Sequence, residues 1–278
     1  MSVLPLSLLL DTAVRAAKAA GDHAFQNKNR RSETSESFCH DVKLVMDVEC
    51  QKIAEALILS EFPEHGILGE EDSSIDHNSD YEWIIDPIDG TVNYFHGFAY
   101  WCCSIAVRKH EKVLAGCVYA PEFNACYTAH ADGPALLNGV PTQVSTQACL
   151  KNSIVFTGLS KYMESDPDAV FGTFNKLALN TRKLRINGSA ALDLCHIADG
   201  ICDGYFEGHL YLWDYAAAGL IAERAGAVVN VSPLDGEPHA AVVLSSNPTL
   251  ANDLKEIWNT SPLSINNFKS KTLNSHHG

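Results

Sequence analysis

The sequence holds no run of about 18 apolar residues, so no segment of it is suited to cross a membrane as a helix. The one early apolar stretch, Val3 to Leu10, is broken by Pro5, has no basic start and precedes no small-residue cleavage pattern. A soluble protein made without export and kept in the cytoplasm is expected. Basic residues are scarce: 20 Lys and Arg stand against 34 Asp and Glu, a formal charge of −14. That balance argues against nucleic acid or an anionic membrane as partner, since both reward basic patches. The nine cysteines are odd in number and never fall in CxxC spacing, which removes a disulfide framework and points to reduced thiols. No GxSxG motif offers a serine nucleophile, and Cys102-Cys103 lies inside an apolar, β-like run where a thiol is inert. No internal repeat is present.

What the chain has is 46% hydrophobic residues over 278 positions, enough for one large domain or two subdomains sharing an interface. Apolar spacing predicts a helix from Leu6 to Phe25, an exposed polar loop over 27–40, and a helix from Val48 to Phe62 that Pro63 ends. From Gly66 onward, short β-branched and aromatic runs separated by turn residues (HGILGEE, YEWIIDPIDG, WCCSIAVRK, KVLAGCVYAP, NACYTAH) predict strands. Further on, strand patterns (SIVFTGL, AVVNV, AAVVLSS) alternate with helical ones at Val170–Leu179, Ser189–Gly200, Tyr215–Ala225 and Pro248–Trp258. This texture is mixed α/β, with a seam expected near 140–150: an N-terminal α+β subdomain over 1–145 and a C-terminal α/β subdomain over 146–278. The polar C-terminal tail is expected to fray, its His276-His277 being a processing remnant and not a ligand pair.

Three acidic segments stand out. In Trp83-Ile84-Ile85-Asp86-Pro87-Ile88-Asp89-Gly90-Thr91 an apolar strand runs into two carboxylates whose odd spacing forbids a common strand face, and a turn at Pro87 is expected to bring them together. Two such carboxylates repel, and a hard divalent cation relieves the repulsion. The Gly90-Thr91 that follows offers N–H groups and a hydroxyl for a phosphate oxygen if a helical turn begins there. Gly69-Glu70-Glu71 ends a strand pattern with two more hard oxygen donors. Trp213-Asp214-Tyr215-Ala216-Ala217-Ala218-Gly219 places an aspartate at an expected helix N-cap, before small residues that permit close backbone approach. Taken singly, a DPxDG turn, an acidic pair or an N-cap Asp needs no function beyond structure.

Together and in this order, GEE, WIIDPIDGTVNYFHG and WDYAAAGLIAERAGA resemble the two signature stretches of the inositol monophosphatase family, over about residues 6–245. Asn187-Gly188-Ser189-Ala190-Ala191 and Tyr205-Phe206-Glu207 extend the resemblance. It implies the layered αβαβα sugar-phosphatase fold and a lithium-sensitive, magnesium-dependent phosphomonoesterase with two or three Mg2+ ions per chain. In that likeness Glu70, Asp86 and the Ile88 carbonyl hold a first ion, Asp86, Asp89 and Asp214 a second, and Glu70 helps with a third or with the nucleophilic water. Gly90 and Thr91 contact the phosphate, Thr91 with Asp47 activates water, and Asp89, the Ala190 backbone and Glu207 meet substrate hydroxyls. A homodimer is also implied, with a small phosphate monoester as partner and neither nucleic acid nor membrane.

One stretch departs from the family. Asp41-Val42-Lys43-Leu44-Val45-Met46-Asp47 keeps both aspartates but has Leu44 where the family usually has threonine, which puts the third ion in doubt. Lys43 either replaces a charge supplied elsewhere or points to water. The Asn93-Tyr94-Phe95-His96-Gly97 continuation is similar to inositol-type phosphatases, so myo-inositol 1-phosphate stands first among polyol and sugar monophosphates. Fructose-1,6-bisphosphatase, histidinol-phosphatase and 3'(2'),5'-bisphosphate nucleotidase activities are the alternatives, as is a catalytically silent metal-binding regulator. An acidic Glu207 favours hydroxyls over a second phosphate.

Overall fold

The computed structural model describes residues 4–37, 42–71, 74–75, 79–158 and 166–264, so Asp41 and the His276-His277 pair lie outside the described residues. The chain begins with α1 (Leu6–Gln26), β1 (Thr34–Ser37), β2 (Val42–Leu44), α2 (Val45–Glu61), β3 (Gly66–Gly69), β4 (Ser74–Ile75), β5 (Tyr81–Asp89) and α3 (Thr91–His96). It continues through β6 (Cys102–Lys109), β7 (Lys112–Ala120), β8 (Ala125–His130), β9 (Leu136–Leu137), β10 (Val140–Pro141), β11 (Ile154–Thr157), α4 (Pro167–Asn180) and β12 (Lys183–Ile186). It closes with α5 (Ala190–Ala198), β13 (Gly204–Tyr211), α6 (Leu212–Arg224), β14 (Val228–Pro233), β15 (Ala240–Ser246) and α7 (Ala251–Asn259).

Two sheets organise these elements. One has the order β10-β9-β8-β7-β6-β5-β3-β4 and is antiparallel except where β3 runs parallel to β5. The other has the order β12-β11-β13-β15-β14, parallel on its β12-β11-β13 side and antiparallel beyond. Helices α1 and α2 cover the outer face of the first sheet, α5 and α6 fill the space between the sheets, and α4 and α7 cover the second. The result is the five-layered αβαβα arrangement.

Composition explains the layering. Helix α1 turns Ala13, Ala16, Ala17, Ala20 and Ala24 inward at helical spacing, so its backbone comes close to the sheet. At Gly21 the approach is tightest, since a Cβ there would stand 2.7 Å from Tyr119 Cδ1. Helix α5 is buried nearly all round, as a helix between two sheets must be. The small residues of α6 let it close on β7, where a Cβ on Gly116 would meet the Ala217 Cα at 2.8 Å.

The structure corrects four local expectations. Part of the expected polar loop forms a short antiparallel ribbon, β1 with β2, whose pairing comes from the partner strand and not from apolar periodicity. Helix α2 starts at Val45, because the Asp47 carboxylate reaches back to accept the Leu44 N–H at 2.9 Å. Asp214 is likewise not an N-cap: α6 begins at Leu212, and Asp214 Oδ2 accepts the Tyr211 N–H at 2.7 Å. Pro87 makes no turn. Strand β5 runs through it to Asp89, and the register against β6 slips between Asp86, opposite Ser104, and Asp89, opposite Cys102. Three steps on one strand against two on the other is a bulge, and the extra residue reverses the alternation that would have parted the two aspartates.

Candidate active site

The bulge, the end of β3, the start of α6 and the Glu207 segment of β13 enclose one cavity of about 360 Å3. Glu70, Asp86, Ile88, Asp89, Gly90, Thr91, Ala190, Glu207 and Asp214 all line it. Nine of the ten residues expected at a site from the sequence therefore share one space, although they come from six elements and their flanks. Asp47, the tenth, does not line the cavity, but its charge acts on Glu70.

Burial sets the electrostatics. It is the largest influence on every carboxyl here and favours the protonated form. The Glu70 carboxyl is pushed up to about 8 by burial and then by the charges of Asp47 and Glu71, with a hydrogen bond to Asp86 acting the other way. Asp86 is raised well above the usual carboxylate range by burial and by Glu70, Asp89 and Asp214. Asp214 is raised in the same way, burial first and then Glu70 and Asp89. Glu207 is pushed up to about 8 by burial, against the hydrogen bond that the Tyr205 hydroxyl donates to it.

Asp89 is the best accommodated of the set. Burial raises it, but its oxygens accept the Ala190 N–H at 3.2 Å, the Ala191 N–H at 2.8 Å and the Ser189 hydroxyl, with the Cys102 thiol at 3.6 Å. The start of α5 thus cradles this anion. Of the Ala190 backbone expected to meet the substrate, the N–H is spent on Asp89, and the Thr91 hydroxyl donates to the Ile88 carbonyl at 2.9 Å. Gly90 takes φ +94, a left-handed turn that starts α3 beside the bulge.

Several supporting residues carried no legible motif. Gln51, buried on α2, accepts the Glu71 N–H at 2.9 Å and donates to the Glu71 carbonyl at 2.8 Å, fixing the chain that presents Glu70. A Cβ on Gly69 would stand 2.4 Å from that amide. Asn93 donates to the Tyr100 carbonyl at 2.7 Å and the Asn187 carbonyl at 2.8 Å, tying α3 to the turn before α5. Gly158 lies against Glu207 so closely that a Cβ there would be 2.0 Å from Oε1. Lys43 does not simply point to water, since its ammonium stands 3.9 Å from Glu71, while Leu44 is fully buried.

Geometry rules out Cys102 as the nucleophile of a cysteine-dependent phosphatase. Cys102 and Arg108 have the CxxxxxR spacing of cysteine-dependent phosphatases, but both lie on β6, where six steps of strand separate them by about 20 Å. Arg108 pairs with Glu82, and burial pushes the Cys102 thiol well above its ordinary value.

The cavity fits hard cations. Its ionisable lining comprises five carboxyls and His209, with neither Lys nor Arg. Asp86 Oδ1 is buried without a hydrogen-bond partner, which a carboxylate oxygen seldom tolerates. All-oxygen donors of this kind suit Mg2+ or a similar ion. Among the described residues no three His, Cys, Asp or Glu side chains close into a tight cage; the carboxyls ring the cavity instead.

A model of the inositol monophosphatase family matches residues 6–261. The chain belongs to that family. An inositol monophosphatase from Dictyostelium discoideum is 34% identical over 275 residues, covering 95% of this chain and 100% of the relative. A Nus factor SuhB from Vibrio cholerae is 35% identical over 224 residues, covering 80% of this chain and 84% of that one. The solved structure of an inositol monophosphatase from Anabaena superposes with a TM-score of 0.82 at 30% identity, over 92% of this chain and 97% of that one. The Anabaena structure shares the fold described above, and family membership supports a phosphatase hydrolase. No helix among the described residues is long and apolar enough to cross a membrane.

Proposed function

We propose that the protein is a Mg2+-dependent phosphomonoesterase that hydrolyses inositol monophosphate or a related small polyol or sugar phosphate. One observation carries this reading: a cavity lined by five carboxyls, Asp86 and Asp89 buried and Glu70, Glu207 and Asp214 half-buried, without Lys or Arg, cannot receive a phosphate dianion unless cations neutralise it. Glu70, Asp86, Asp214, Asp89 and the Ile88 carbonyl would hold those ions, two or three in number. When bound, such ions supply Lewis acidity, neutralising phosphoryl charge and making water acidic enough to ionise near neutral pH.

The chain's own groups do the remaining work. The Gly90 and Thr91 N–H groups orient the phosphate, and Glu70 with the Thr91 hydroxyl, which can still accept, orients the attacking water, Asp47 acting on Glu70 by its charge from outside the lining. Glu207 accepts hydroxyls of the alcohol part. Glu207→Gln should therefore alter preference among polyol esters more than it alters the rate on an aryl phosphate, and equal losses on both in steady-state kinetics would make its role structural. Gly158→Ala pushes the Glu207 carboxyl aside and should raise KM for a polyol ester at least about tenfold. An unchanged KM would remove Glu207 from the substrate's path.

The test of the function is a phosphate-release screen with and without Mg2+, over inositol, sugar, fructose 1,6-bisphosphate, histidinol and nucleotide phosphates. Cation-dependent turnover of a polyol or sugar monophosphate supports the reading, and no turnover on any ester defeats it. In that event a non-catalytic role becomes the better reading, a possibility that the similarity to a relative named as a Nus factor keeps specific.

A further inference from the structure

Resting on that reading of the cavity, the geometry points to His209 as a specificity-determining residue: a wall, clamped from outside by Glu237, that restricts the alcohol part of the substrate to a compact ring. The cavity itself, about 360 Å3, is at the small end of what ligand pockets offer.

His209 lines the cavity between Glu207 and Leu210, in a segment where ordinary strand alternation fails. Against β15, Glu207 stands opposite Val243 and Leu210 opposite Ala241, so β13 carries a bulge of its own. At that bulge His209 adopts φ +67, the left-handed region that disfavours a side chain and suits glycine. Strained backbone of this kind persists where the surroundings enforce it, and it concentrates at ligand-binding positions.

The enforcing contacts are present. His209 Nε2 lies 2.9 Å from Glu237 Oε2, the imidazole is 7% exposed and the Glu237 side chain 45% exposed. On its other side the ring meets Tyr211 edge-on at 5.6 Å, and Tyr211 stacks on Trp213 at 4.9 Å, next to Asp214. The imidazole therefore has contacts with both Glu237 and Tyr211, while Glu237 stays outside the cavity lining. A rigid ring beside Glu207 leaves room for a compact polyol and opposes a nucleoside.

The test compares kcat/KM for myo-inositol 1-phosphate with that for adenosine 2'-monophosphate, with melting temperature measured alongside. His209→Gly removes the wall and relieves the backbone, so it should fold at least as well as the parent. It is expected to shift the ratio toward the nucleotide by about tenfold or more, as removal of a steric barrier does. Glu237→Gln, which loosens the ring from outside, should shift the ratio in the same direction by less. A ratio within about twofold of the parent in both variants, or equal losses on both esters with a lower melting temperature, would overturn the inference while leaving the phosphatase reading intact. If the parent hydrolyses neither ester, nor any other phosphate, the phosphatase reading fails and His209 loses this role with it.

Discussion

Asp86→Asn is expected to abolish cation-dependent turnover and, in the same protein, to raise the melting temperature in chelator. Asp86 is buried at the bulge of β5, and its carboxyl is disfavoured first by burial and then by Glu70, Asp89 and Asp214. An amide of the same shape carries no charge, so the cation-free fold loses a repulsion and should melt at least about 2 °C higher. The same change removes an anionic oxygen that would hold the proposed cations. A loss of several kcal/mol of charge stabilisation in the transition state corresponds to a fall in kcat/KM of at least about a thousandfold. Steady-state phosphate release and thermal melts check both halves. Near-normal turnover would reject Asp86 as a ligand, and a lower melting temperature in chelator would reject the picture of a self-repelling cluster.

A second large effect is expected in pH. The folded chain holds the carboxyls of Glu70 and Glu207 at about 8 and that of Asp193 at about 7, in each case chiefly through burial, whereas unfolding returns them to their ordinary values near 4. Between those limits the folded state binds more protons than the unfolded one, so stability must fall as pH rises from about 4 to about 8. Glu49 is the opposite case, held down to about 2 mainly by Arg30, but its contribution is lost only at acid pH below this window. The cation-free protein should therefore melt at a lower temperature at pH 8 than at pH 5.5. Millimolar Mg2+ should close the gap, with a much larger gain at pH 8, because the cation binds deprotonated ligands and protons compete with it. A melting temperature in chelator that rises from pH 5.5 to 8 would contradict this arrangement of buried acids.

The legible parts of this protein were local. A strand ending in two glutamates, a strand running into Asp-Pro-Ile-Asp-Gly-Thr and a helix start at Trp-Asp-Tyr each carry their pattern within a dozen residues, and all three line the cavity. The mixed α/β texture was readable because strand and helix periods alternate cleanly. The two aspartates of β5 were placed together correctly but for the wrong reason. A proline reads as a turn, and only the pairing with β6 shows that the strand continues through a bulge. Thr34–Ser37, within the expected 27–40 loop, is a strand for a related cause: a polar ribbon has no apolar period to announce it, and β1 exists because β2 is beside it.

What remained hidden was long-range. Nothing near Asp89 says that Ser189, Ala190 and Ala191, a hundred residues on, will hold its carboxylate. Gln51 gives no sign of fixing Glu71, and Gly158 becomes obligatory only when Glu207 is folded against it. His209 is invisible for the same reason, since its left-handed backbone is a property of the β13 bulge. Cys102 and Arg108 show the converse, a CxxxxxR spacing that would suit a loop but lies along a strand.

Crystals equilibrated with Mn2+ in place of Mg2+ give the most direct test of the cavity as a cation site. An anomalous difference map should contain at least two peaks within ligand distance of oxygen atoms from Glu70, Asp86, Asp89 and Asp214. A map without a peak among those four side chains, at a Mn2+ concentration that supports turnover, would contradict the cation-based reading of this site.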